Sequence, residues 1–363
     1  MKIGFLIKNL SSGGAERATV SLANYFALHS QDVEIITFNS VDSFYPLEES
    51  VSVRTAELGE LEQSASAKRL FGSIKRIIAI RRLVKSLQLD VLIGMSFAMT
   101  WYSVLATMFT KTKSVGTERS NPYRYKATKL NTFLRKFFYN FTDGYVFQTR
   151  KAAQFFGNKK SERDITIPNA IFNETVYSLS PPAERKKIIC ATGRLIKLKR
   201  FDLLIDAFAK IADQIPDYML FIFGDGDGEE KEDLENQIEY LGLKNRIILA
   251  GTDPQAVKFV NFASVFVLSS DFEGMPNALL EALAMGVPCV STRCEMGPDE
   301  LIENRVSGIL TDVGSSEQLA EAMLEIIENP DFAKKLSENG RKLLKTHSIE
   351  NISRQWLDYL SRI

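Results

Sequence analysis

The stretch Ser269-Ser270-Asp271-Phe272-Glu273-Gly274-Met275-Pro276-Asn277 lies between the apolar run 265–268 and a run of helix-forming residues that ends before Gly286. A short continuous apolar run predicts a strand buried on both faces. The glycine and the proline of the quoted stretch end that strand. The sequence therefore predicts a strand, a loop and a helix in succession. The loop lies at the carboxyl end of the strand, where open α/β sheets bind their ligands.

Glu281 is the unusual residue of the predicted helix, because the residues on either side of it, 278–280 and 282–285, are apolar. Such a helix is expected to be buried, and a buried carboxylate is costly unless it is hydrogen-bonded. A pair of ligand hydroxyls would supply those bonds. A partly exposed position or an ion pair with an arginine would explain the residue equally well. Glu273 is either a ligand contact or a solvated acid of the loop.

Glu273 and Glu281, with seven residues between them in the setting Phe-Glu-Gly-Met-Pro-Asn-Ala-Leu-Leu-Glu-Ala, resemble the acidic pair of the retaining glycosyltransferases of family 4 (group 1). These enzymes have the GT-B fold. The resemblance implies that Glu281 binds the ribose hydroxyls of a nucleotide sugar and that Glu273 is a catalytic residue that holds hydroxyls of the donor sugar. The helix N-terminus would stabilise the leaving diphosphate. It is formed by Gly274, Met275, Pro276 and Asn277.

A cationic loop, Gly193 to Arg200, follows another apolar run and precedes a predicted helix, 201–211. Arginine can bind two phosphate oxygens at once, and lysine acts as a point charge. The loop is therefore either a diphosphate site or a basic surface loop. Arg194 and Lys199 fall on the arginine and the lysine of the Gly-Arg-Leu-x-x-x-Lys element of the resembling family, which implies a catalytic role toward the diphosphate.

Glycine turns after other predicted strands complete the donor site that the resemblance implies. A glycine pair that opens a helix is a ready phosphate site, although it is not the dinucleotide fingerprint and a turn without a ligand is equally compatible with it. Asp225 and Asp227 have the spacing of a weak metal motif, but the resemblance implies neither a catalytic metal nor a cofactor. The implied donor contacts are Gly13, Gly14, Gly224, Gly251 and Thr252.

The composition is that of a soluble globular protein, and no apolar run is long enough for a membrane span. The three cysteines lack zinc-ligand spacing, which indicates free thiols in a reducing cytoplasm. Residues 1–165 hold 24 Lys+Arg and 14 Asp+Glu, a net charge of +10, whereas residues 166–363 hold 21 and 31, a net of −10. The basic half is expected to meet an anionic partner.

Residues 68–88 predict an amphipathic helix with seven cations and no acids. The helix either packs on the sheet with its cations solvated, or presents them to anionic lipid head groups or a lipid pyrophosphate. We expect four of these cations to lie on the acceptor and membrane side. They are Lys75, Arg76, Arg81 and Arg82.

Basic and aromatic residues alternate in 119–141, after the predicted strand 114–117. The pattern suits a nucleic acid or a membrane interface, and its place after a strand end favours the wall of a pocket. Glu118 and Arg119 open a segment similar to the Glu-Arg-Asn-x-Pro element of related sequences, which places them on the acceptor side. Many family members have a histidine near this point, but here the only histidines are His29 and His347.

Strands and helices alternate through the chain, which predicts an α/β protein with two Rossmann-like, doubly wound parallel-sheet domains facing a cleft, the GT-B arrangement. Residues 1–172 would bind the acceptor and face the membrane. Residues 173–186 would be the linker, and 187–348 would bind the nucleotide sugar. The final helix, 349–363, would cross back to the first domain.

The resemblance thus implies a retaining transferase that moves a sugar, most simply from a UDP-hexose or UDP-N-acetylhexosamine, to an acceptor hydroxyl. The basic and aromatic first half suggests that the acceptor is a lipid-linked saccharide in bacterial surface polysaccharide assembly. The enzyme would be cytoplasmic and peripheral at the inner membrane face. One alternative is a nucleotide-sugar epimerase of the same fold, which needs acid and base groups that two histidines do not suit. Another is a nucleic-acid-binding protein with a basic lobe. A nicotinamide dehydrogenase is disfavoured because GxGxxG is missing.

Overall fold

The computed structural model describes residues 1–11, 13–39, 42–56, 66–125, 127–157, 163–226 and 228–363, with side chains described from residue 72 onward in the segment that begins at 66. Lys126 of the basic and aromatic segment and Asp227 of the weak metal motif lie outside these residues. The chain forms two compact units. The first comprises Met1–Phe172 with Ile349–Ile363, and the second comprises Asn173–Ser348.

The first unit is built on a parallel sheet with the strand order β3-β2-β1-β4-β5-β6-β7. Its strands are β1 (Lys2–Leu6), β2 (Asp32–Thr37), β3 (Ser52–Thr55), β4 (Val91–Gly94), β5 (Lys113–Glu118), β6 (Gly144–Phe147) and β7 (Asp164–Thr166). Its first five helices are α1 (Gly14–Leu28), α2 (Ser66–Leu87), α3 (Phe97–Thr107), α4 (Lys129–Tyr139) and α5 (Arg150–Phe156).

The second unit has a parallel sheet with the order β10-β9-β8-β11-β12-β13. It begins with α6 (Glu174–Ser178), which lies inside the segment predicted to be a linker. Its strands are β8 (Lys186–Thr192), β9 (Met219–Phe223), β10 (Ile247–Gly251), β11 (Ala263–Leu268), β12 (Cys289–Thr292) and β13 (Ile309–Thr311). Its other helices are α7 (Phe201–Ile211), α8 (Gly228–Tyr240), α9 (Ala256–Asn261), α10 (Asn277–Ala284), α11 (Pro298–Leu301), α12 (Ser316–Glu328), α13 (Pro330–Gly340) and α14 (Leu343–Thr346).

Alternate side chains of each strand point to opposite faces of the first sheet. Helices cover both faces, so neighbouring residues of one strand belong to different cores. Phe5 belongs to a core with Phe26 of α1 and with Trp356 of the last helix, α15 (Ile349–Leu360). Leu6 belongs to a second core, on α2 and α3. Chain-terminal helix α15 therefore packs in the first unit, and its Trp356 is fully buried.

The core of the second unit lies mainly between the sheet and helices α7 and α12. Burial of apolar strands on both faces is typical of parallel sheets. The predicted fold class, two doubly wound parallel-sheet α/β domains, is therefore confirmed. The three cysteines are free thiols and buried, and burial raises the pKa of Cys294 to about 12.

Strand β3 and helices α4, α5, α6 and α9 were not predicted. Strand β3 pairs with β2 within a segment that the sequence left unassigned, and α4 forms where a pocket wall was expected. Helix α4 is rich in aromatic residues, which are poor helix formers, but the Thr128 hydroxyl caps it by accepting a hydrogen bond from the amide of Asn131 at 3.2 Å. Throughout the described ranges, no helix is both long enough and apolar enough to span a membrane.

Candidate active site

The loops that follow β8, β9 and β10 lie side by side at one edge of the second sheet. The Gly193 amide donates to the Phe223 carbonyl at 2.9 Å, and the Gly224 amide donates to the Gly251 carbonyl at 2.8 Å. β11 pairs with β8 on the other side, so the order of strands reverses between these two. Ligands of open α/β sheets bind at such a reversal, outside the carboxyl ends of the strands.

Gly224 brings the loops after β8 and β9 into direct backbone contact. Its φ is +138°, and a Cβ atom built on it would lie 1.8 Å from the Gly193 carbonyl oxygen. Only glycine permits that approach. The predicted donor residue Gly224 is thus placed where a side chain would separate two loops of the site.

The structure pairs two predicted catalytic residues that are far apart in the chain. The Lys199 ammonium lies 2.6 Å from Oε1 of Glu273, across a sequence separation of 74 residues. The Ser270 hydroxyl donates to the same carboxylate oxygen at 2.7 Å. The side chains of Lys199 and Glu273 are only 19% and 11% exposed, so the pair is largely removed from water.

Backbone contacts hold the two loops that carry this pair. The Ser269 hydroxyl donates to the Lys199 carbonyl at 2.7 Å, and the Asp271 amide donates to the Leu198 carbonyl at 3.0 Å. From β12, the Thr292 hydroxyl donates to the Ser270 carbonyl at 2.6 Å. Two side-chain hydroxyls and one amide thus bind main-chain carbonyls and hold the two loops against each other.

Arg200, which the sequence analysis did not select, joins the same two loops. Its guanidinium pairs with Asp202 at 3.0 Å and with Asp271 at 3.1 Å. Its φ of +50° lies in the left-handed region, which a non-glycine residue adopts at some cost. Nothing in the sequence distinguished Arg200 from neighbouring cations, because both of its acidic partners are identified only by the fold.

The predicted turn Gly274-Met275-Pro276-Asn277 leads into α10. Met275 and Pro276 are buried, and Asn277 is the first residue of the helix. Gly297, with a φ of +94°, supports this turn from behind, because a Cβ atom there would lie 2.5 Å from the Gly274 carbonyl oxygen. The first-turn amides of α10 follow directly on the loop that carries Glu273.

Glu281 is partly exposed, unlike most of α10. The only residues of this helix that are not buried are Asn277, Ala278 and Glu281. Asn277 and Glu281 are four residues apart and therefore lie on the same side of the helix. The helix is thus buried as expected, but Glu281 itself is only partly buried, so burial alone does not require a ligand there.

Arg194 extends from the loop after β8 and is exposed, and within the described chain no hydrogen bond or ion pair engages its side chain. Gly251 has a φ of +68° with open space beside it, and Thr252 is exposed. The Asp225 carboxylate accepts a hydrogen bond from the Gly226 amide at 3.0 Å. These residues lie at the same sheet edge as the Lys199–Glu273 pair because their strands are neighbours.

In the first unit, Gly13 and Gly14 stand at the start of α1 as predicted, with Gly13 as the N-cap residue. A Cβ atom on Gly13 would lie 2.2 Å from a carboxylate oxygen of Glu16, in the first turn. An acid already lies against this helix N-terminus, where it interacts favourably with the helix dipole. An incoming phosphate would meet that carboxylate.

Glu118 and Arg119 follow β5 with different surroundings. The Glu118 side chain is fully buried and pairs with Arg135 at 3.1 Å, and burial raises the pKa of its carboxyl group. The Ser120 hydroxyl donates to its other oxygen at 2.6 Å. Arg119 donates to the Asn169 side chain at 2.7 Å, and desolvation lowers the pKa of its guanidinium to about 10.

The four predicted cations of α2 divide into two pairs. Arg76 lies over the Phe38 ring at 4.2 Å, and Arg81 donates to the Ala106 carbonyl at 3.2 Å. Lys75 and Arg82 are exposed. Arg76 and Arg81 therefore serve contacts inside the unit.

Both units match family models. The model for glycosyl transferases group 1 matches residues 178–343. The model for Glycosyltransferase Family 4 matches residues 12–172. Each match falls within one of the two units.

Similar proteins extend these matches. The chain is 27% identical over 363 residues to the Campylobacter jejuni GalNAc-alpha-(1->4)-GalNAc-alpha-(1->3)-diNAcBac-PP-undecaprenol alpha-1,4-N-acetyl-D-galactosaminyltransferase, with 100% of this chain and 99% of that protein covered. It is 30% identical over 291 residues to an uncharacterized glycosyltransferase of Methanocaldococcus jannaschii, with 68% and 71% covered. The crystal structure of Anabaena HepE in complex with UDP-glucose has a TM-score of 0.84 at 20% identity and covers 100% of both chains.

Proposed function

Because this chain belongs to the group 1 glycosyltransferases and has the GT-B fold, we propose that it transfers a sugar from a UDP-linked donor to a hydroxyl of a lipid-linked saccharide. The anomeric configuration is retained, and the enzyme acts as a peripheral protein at the inner face of the cytoplasmic membrane. Because the chain belongs to this family, we no longer favour the two alternative functions, a nucleotide-sugar epimerase and a nucleic-acid-binding protein.

The Lys199–Glu273 pair is the observation that carries the proposal. It lies at the reversal of strand order in the second unit and is largely desolvated. A sugar diphosphate consists of an anionic diphosphate and a sugar with hydroxyl groups. An ammonium group binds phosphate oxygens, and a carboxylate accepts hydrogen bonds from sugar hydroxyls. We infer that donor binding places the diphosphate at Lys199 and the sugar at Glu273.

The residues around this pair fit the other parts of the donor. Arg194 is exposed on the loop that also carries Lys199 and offers a second cation to the diphosphate. Glu281 lies one turn into α10, on the side of the helix that remains accessible, and accepts hydrogen bonds from the ribose hydroxyls. The turns at Gly224 and Gly251 approach the nucleotide through their backbones.

The proposed chemistry is stabilisation of a leaving group. As the bond between the sugar and the diphosphate breaks, negative charge grows on the phosphate, and Lys199, Arg194 and the first-turn amides of α10 oppose that charge. The acceptor hydroxyl attacks from the side that the leaving group vacates, and its proton passes to the departing phosphate. Preorganised donors of this kind typically contribute on the order of a hundredfold in rate each.

Two similar proteins support the donor and the acceptor. Anabaena HepE, which shares the fold, was solved with UDP-glucose. The name of the Campylobacter jejuni relative states an acceptor linked to PP-undecaprenol. The basic first half of this chain suits the diphosphate of such a lipid. Glu118 is buried, so we assign it a positioning role, and Arg119 remains the candidate for acceptor contact.

The proposal is tested by thermal unfolding of the wild type and of Glu281→Ala with UDP, GDP, ADP and CDP. A ligand at a hundred times its Kd adds about 2.7 kcal/mol of stability. We expect UDP to raise the midpoint of the wild type and to have a much smaller effect on the variant. Stabilisation by another nucleotide would overturn the UDP assignment. If no nucleotide raises the midpoint, the donor site proposed here is wrong. With an active UDP-sugar, the anomeric proton coupling of the product tests retention.

A further inference from the structure

Helix α4 turns its apolar side chains outward. Leu130, Phe133 and Phe137 on the helix, and Phe141 just after it, are 65%, 62%, 42% and 52% exposed. Spacings of three and four residues place them on one side of the helix. A surface helix of a globular protein normally buries such a stripe. The arrangement in α4 is therefore the reverse of the usual one.

The inner side of α4 is held by polar groups. Its buried residues are Arg135 and Tyr139. Arg135 pairs with Glu118 at 3.1 Å, lies over the Phe97 ring at 3.9 Å, and donates to the Tyr125 carbonyl at 2.9 Å. The Tyr139 hydroxyl donates to Asp164. Rotating α4 to bury its apolar side would expose aromatic contacts and leave the Glu118 carboxylate unpaired in the interior, which is costly.

The exposed aromatic rings contact one another. The Phe133 and Phe137 rings are 5.8 Å apart and stacked, and the Phe137 and Phe141 rings are 4.9 Å apart. We call these three rings with Leu130 the α4 face. It is a continuous apolar patch rather than a set of scattered side chains, and patches of that kind mark binding surfaces.

Positive charge borders the α4 face. From Arg119 to Thr142 the sequence contains six cations and no acid. Lys129 and Lys136 are exposed on α4 itself, next to the apolar stripe, and the Lys136 ammonium lies 5.2 Å from the centre of the Phe155 ring. An apolar stripe flanked by lysines complements the head-group region of an anionic bilayer, where aromatic rings lie at the interface and the lysine ammonium groups reach lipid phosphates. A second copy that docked through the same face would oppose lysine with lysine, and residues 119–142 contain no carboxylate to pair them.

Helix α2, in the same layer of helices as α4, also exposes apolar and basic side chains. The Tyr102 hydroxyl of α3 donates to Ser73 of α2 at 3.1 Å, and the Trp101 ring of α3 stacks on Phe138 of α4 at 5.6 Å, so the three helices form one layer. In that layer α2 exposes Ile74 and Ile78, 48% and 45%, between its exposed cations. The first unit therefore has further apolar and basic side chains beside α4.

We propose that the α4 face docks the enzyme on an anionic lipid bilayer, with the aromatic rings inserted to head-group depth and Lys129 and Lys136 at the lipid phosphates. The inference deepens the proposed function and rests on it for its biological meaning, because a lipid-linked acceptor is held in the same bilayer. The sequence predicts four cations of α2, with Glu118 and Arg119, on the acceptor and membrane side. It leaves residues 119–141 open between a membrane interface, a nucleic-acid site and a pocket wall, and the present proposal selects the membrane interface for α4.

The test is co-sedimentation with vesicles of phosphatidylcholine alone and of phosphatidylcholine with 30% phosphatidylglycerol. The wild type should bind the anionic vesicles and lose that binding as salt rises. Phe133→Ser with Phe137→Ser should reduce the partition coefficient by roughly tenfold or more, because apolar insertion is lost. Lys129→Gln with Lys136→Gln should reduce it by about 25-fold, since each cation near an anionic surface contributes about 1 kcal/mol, or about fivefold.

Matched controls lie in the second unit. Tyr240→Ser removes a ring that is 90% exposed, and Lys334→Gln with Lys335→Gln removes two exposed cations. Both controls should bind vesicles like the wild type. Equal losses in control and α4 variants would show a nonspecific effect and overturn the proposal, as would unchanged binding of the Phe133 and Phe137 double variant.

Two further measurements distinguish membrane docking from self-association and from a general loss of folding. Sedimentation velocity without lipid should give the same species for the wild type and the phenylalanine double variant; a wild-type dimer that becomes a monomer in the variant would assign the α4 face to self-association. UDP stabilisation should be equal in the two proteins. Vesicle binding without any nucleotide binding would refute the proposed function and leave the docking surface standing. Nucleotide binding without vesicle binding would do the reverse.

Discussion

Lys199→Met removes the ammonium that pairs with Glu273 and keeps the length of the side chain. Both members of the pair are less than one-fifth exposed, at 19% and 11%, so the carboxylate that remains is largely desolvated. The Ser270 hydroxyl, at 2.7 Å, stays as its hydrogen-bond donor. The variant therefore tests separately what the pair does for stability and what the lysine does for catalysis.

Breaking a fully buried ion pair by removing one partner costs about 3–5 kcal/mol. Because this pair retains some exposure and Ser270 still donates, we expect Lys199→Met to destabilise the second unit by about 2 kcal/mol, or roughly 4–8 °C in Tm for a domain of this size. Adding Glu273→Gln removes the unpaired charge and should recover about 1–2 kcal/mol. The activity should not recover, since both variants lack the cation and lose about a hundredfold or more in kcat.

The assay combines thermal unfolding with initial rates of sugar transfer from the UDP-sugar donor, on the wild type, both single variants and the double variant. Recovery of stability without recovery of kcat supports a catalytic Lys199. If the double variant regains the rate of the wild type, the pair is a structural contact only. If Lys199→Met keeps kcat within a few fold of the wild type, the lysine does not stabilise the leaving diphosphate and the proposed mechanism is wrong.

Gly224→Ala should destabilise the second unit by about 3 kcal/mol or more and abolish UDP stabilisation, because its methyl group would overlap the Gly193 carbonyl oxygen 1.8 Å away. Gly314→Ala, at a φ of +82° with open space around it, should cost only about 1 kcal/mol in urea unfolding and keep UDP binding; equal effects of the two variants would contradict the packing argument. Burial lowers the pKa of His347 from 6.5 to about 4. Between pH 6.5 and pH 4 the unfolded chain therefore binds a proton at His347 that the folded protein does not bind, so the free energy of unfolding decreases as the pH falls through this range. Urea midpoints at pH 7 and 5 should show about 2 kcal/mol of loss from this group, absent in His347→Gln, and an equal loss in the variant would show that other groups are responsible.

Much of the fold could be predicted because its signals are local. Continuous apolar runs and helix-forming runs between glycine and proline residues predicted helix 201–211, the bounds of α7, and a strand at 265–268, which forms the carboxyl end of β11. Helix α4 was not predicted, because its apolar residues do not face the core. Its stripe lies outward and a buried Arg135 stands on its inner side, so its pattern matched no core-facing helix.

The candidate site divides in the same way. The resemblance to family 4, carried by the segments around Glu273 and Glu281 and around Arg194 and Lys199, selected four residues within two short segments. The pairing of Lys199 with Glu273 could not be predicted from spacing, because it depends on β11 lying next to β8 although two strands come between them in the chain. The partners of Arg200 depend on the same adjacency.

The sequence by itself determined that the chain alternates strands and helices, that acids and cations follow particular strands, and that the first half is basic. The tertiary structure decided which of those charges are available. It buried Glu118 against Arg135, turned Arg76 and Arg81 inward, and left Glu281 partly exposed. The physical reason is that periodicity reports the side of an element on which a residue lies. Desolvation and pairing depend on the element that packs against that side, and strand order determines which element that is.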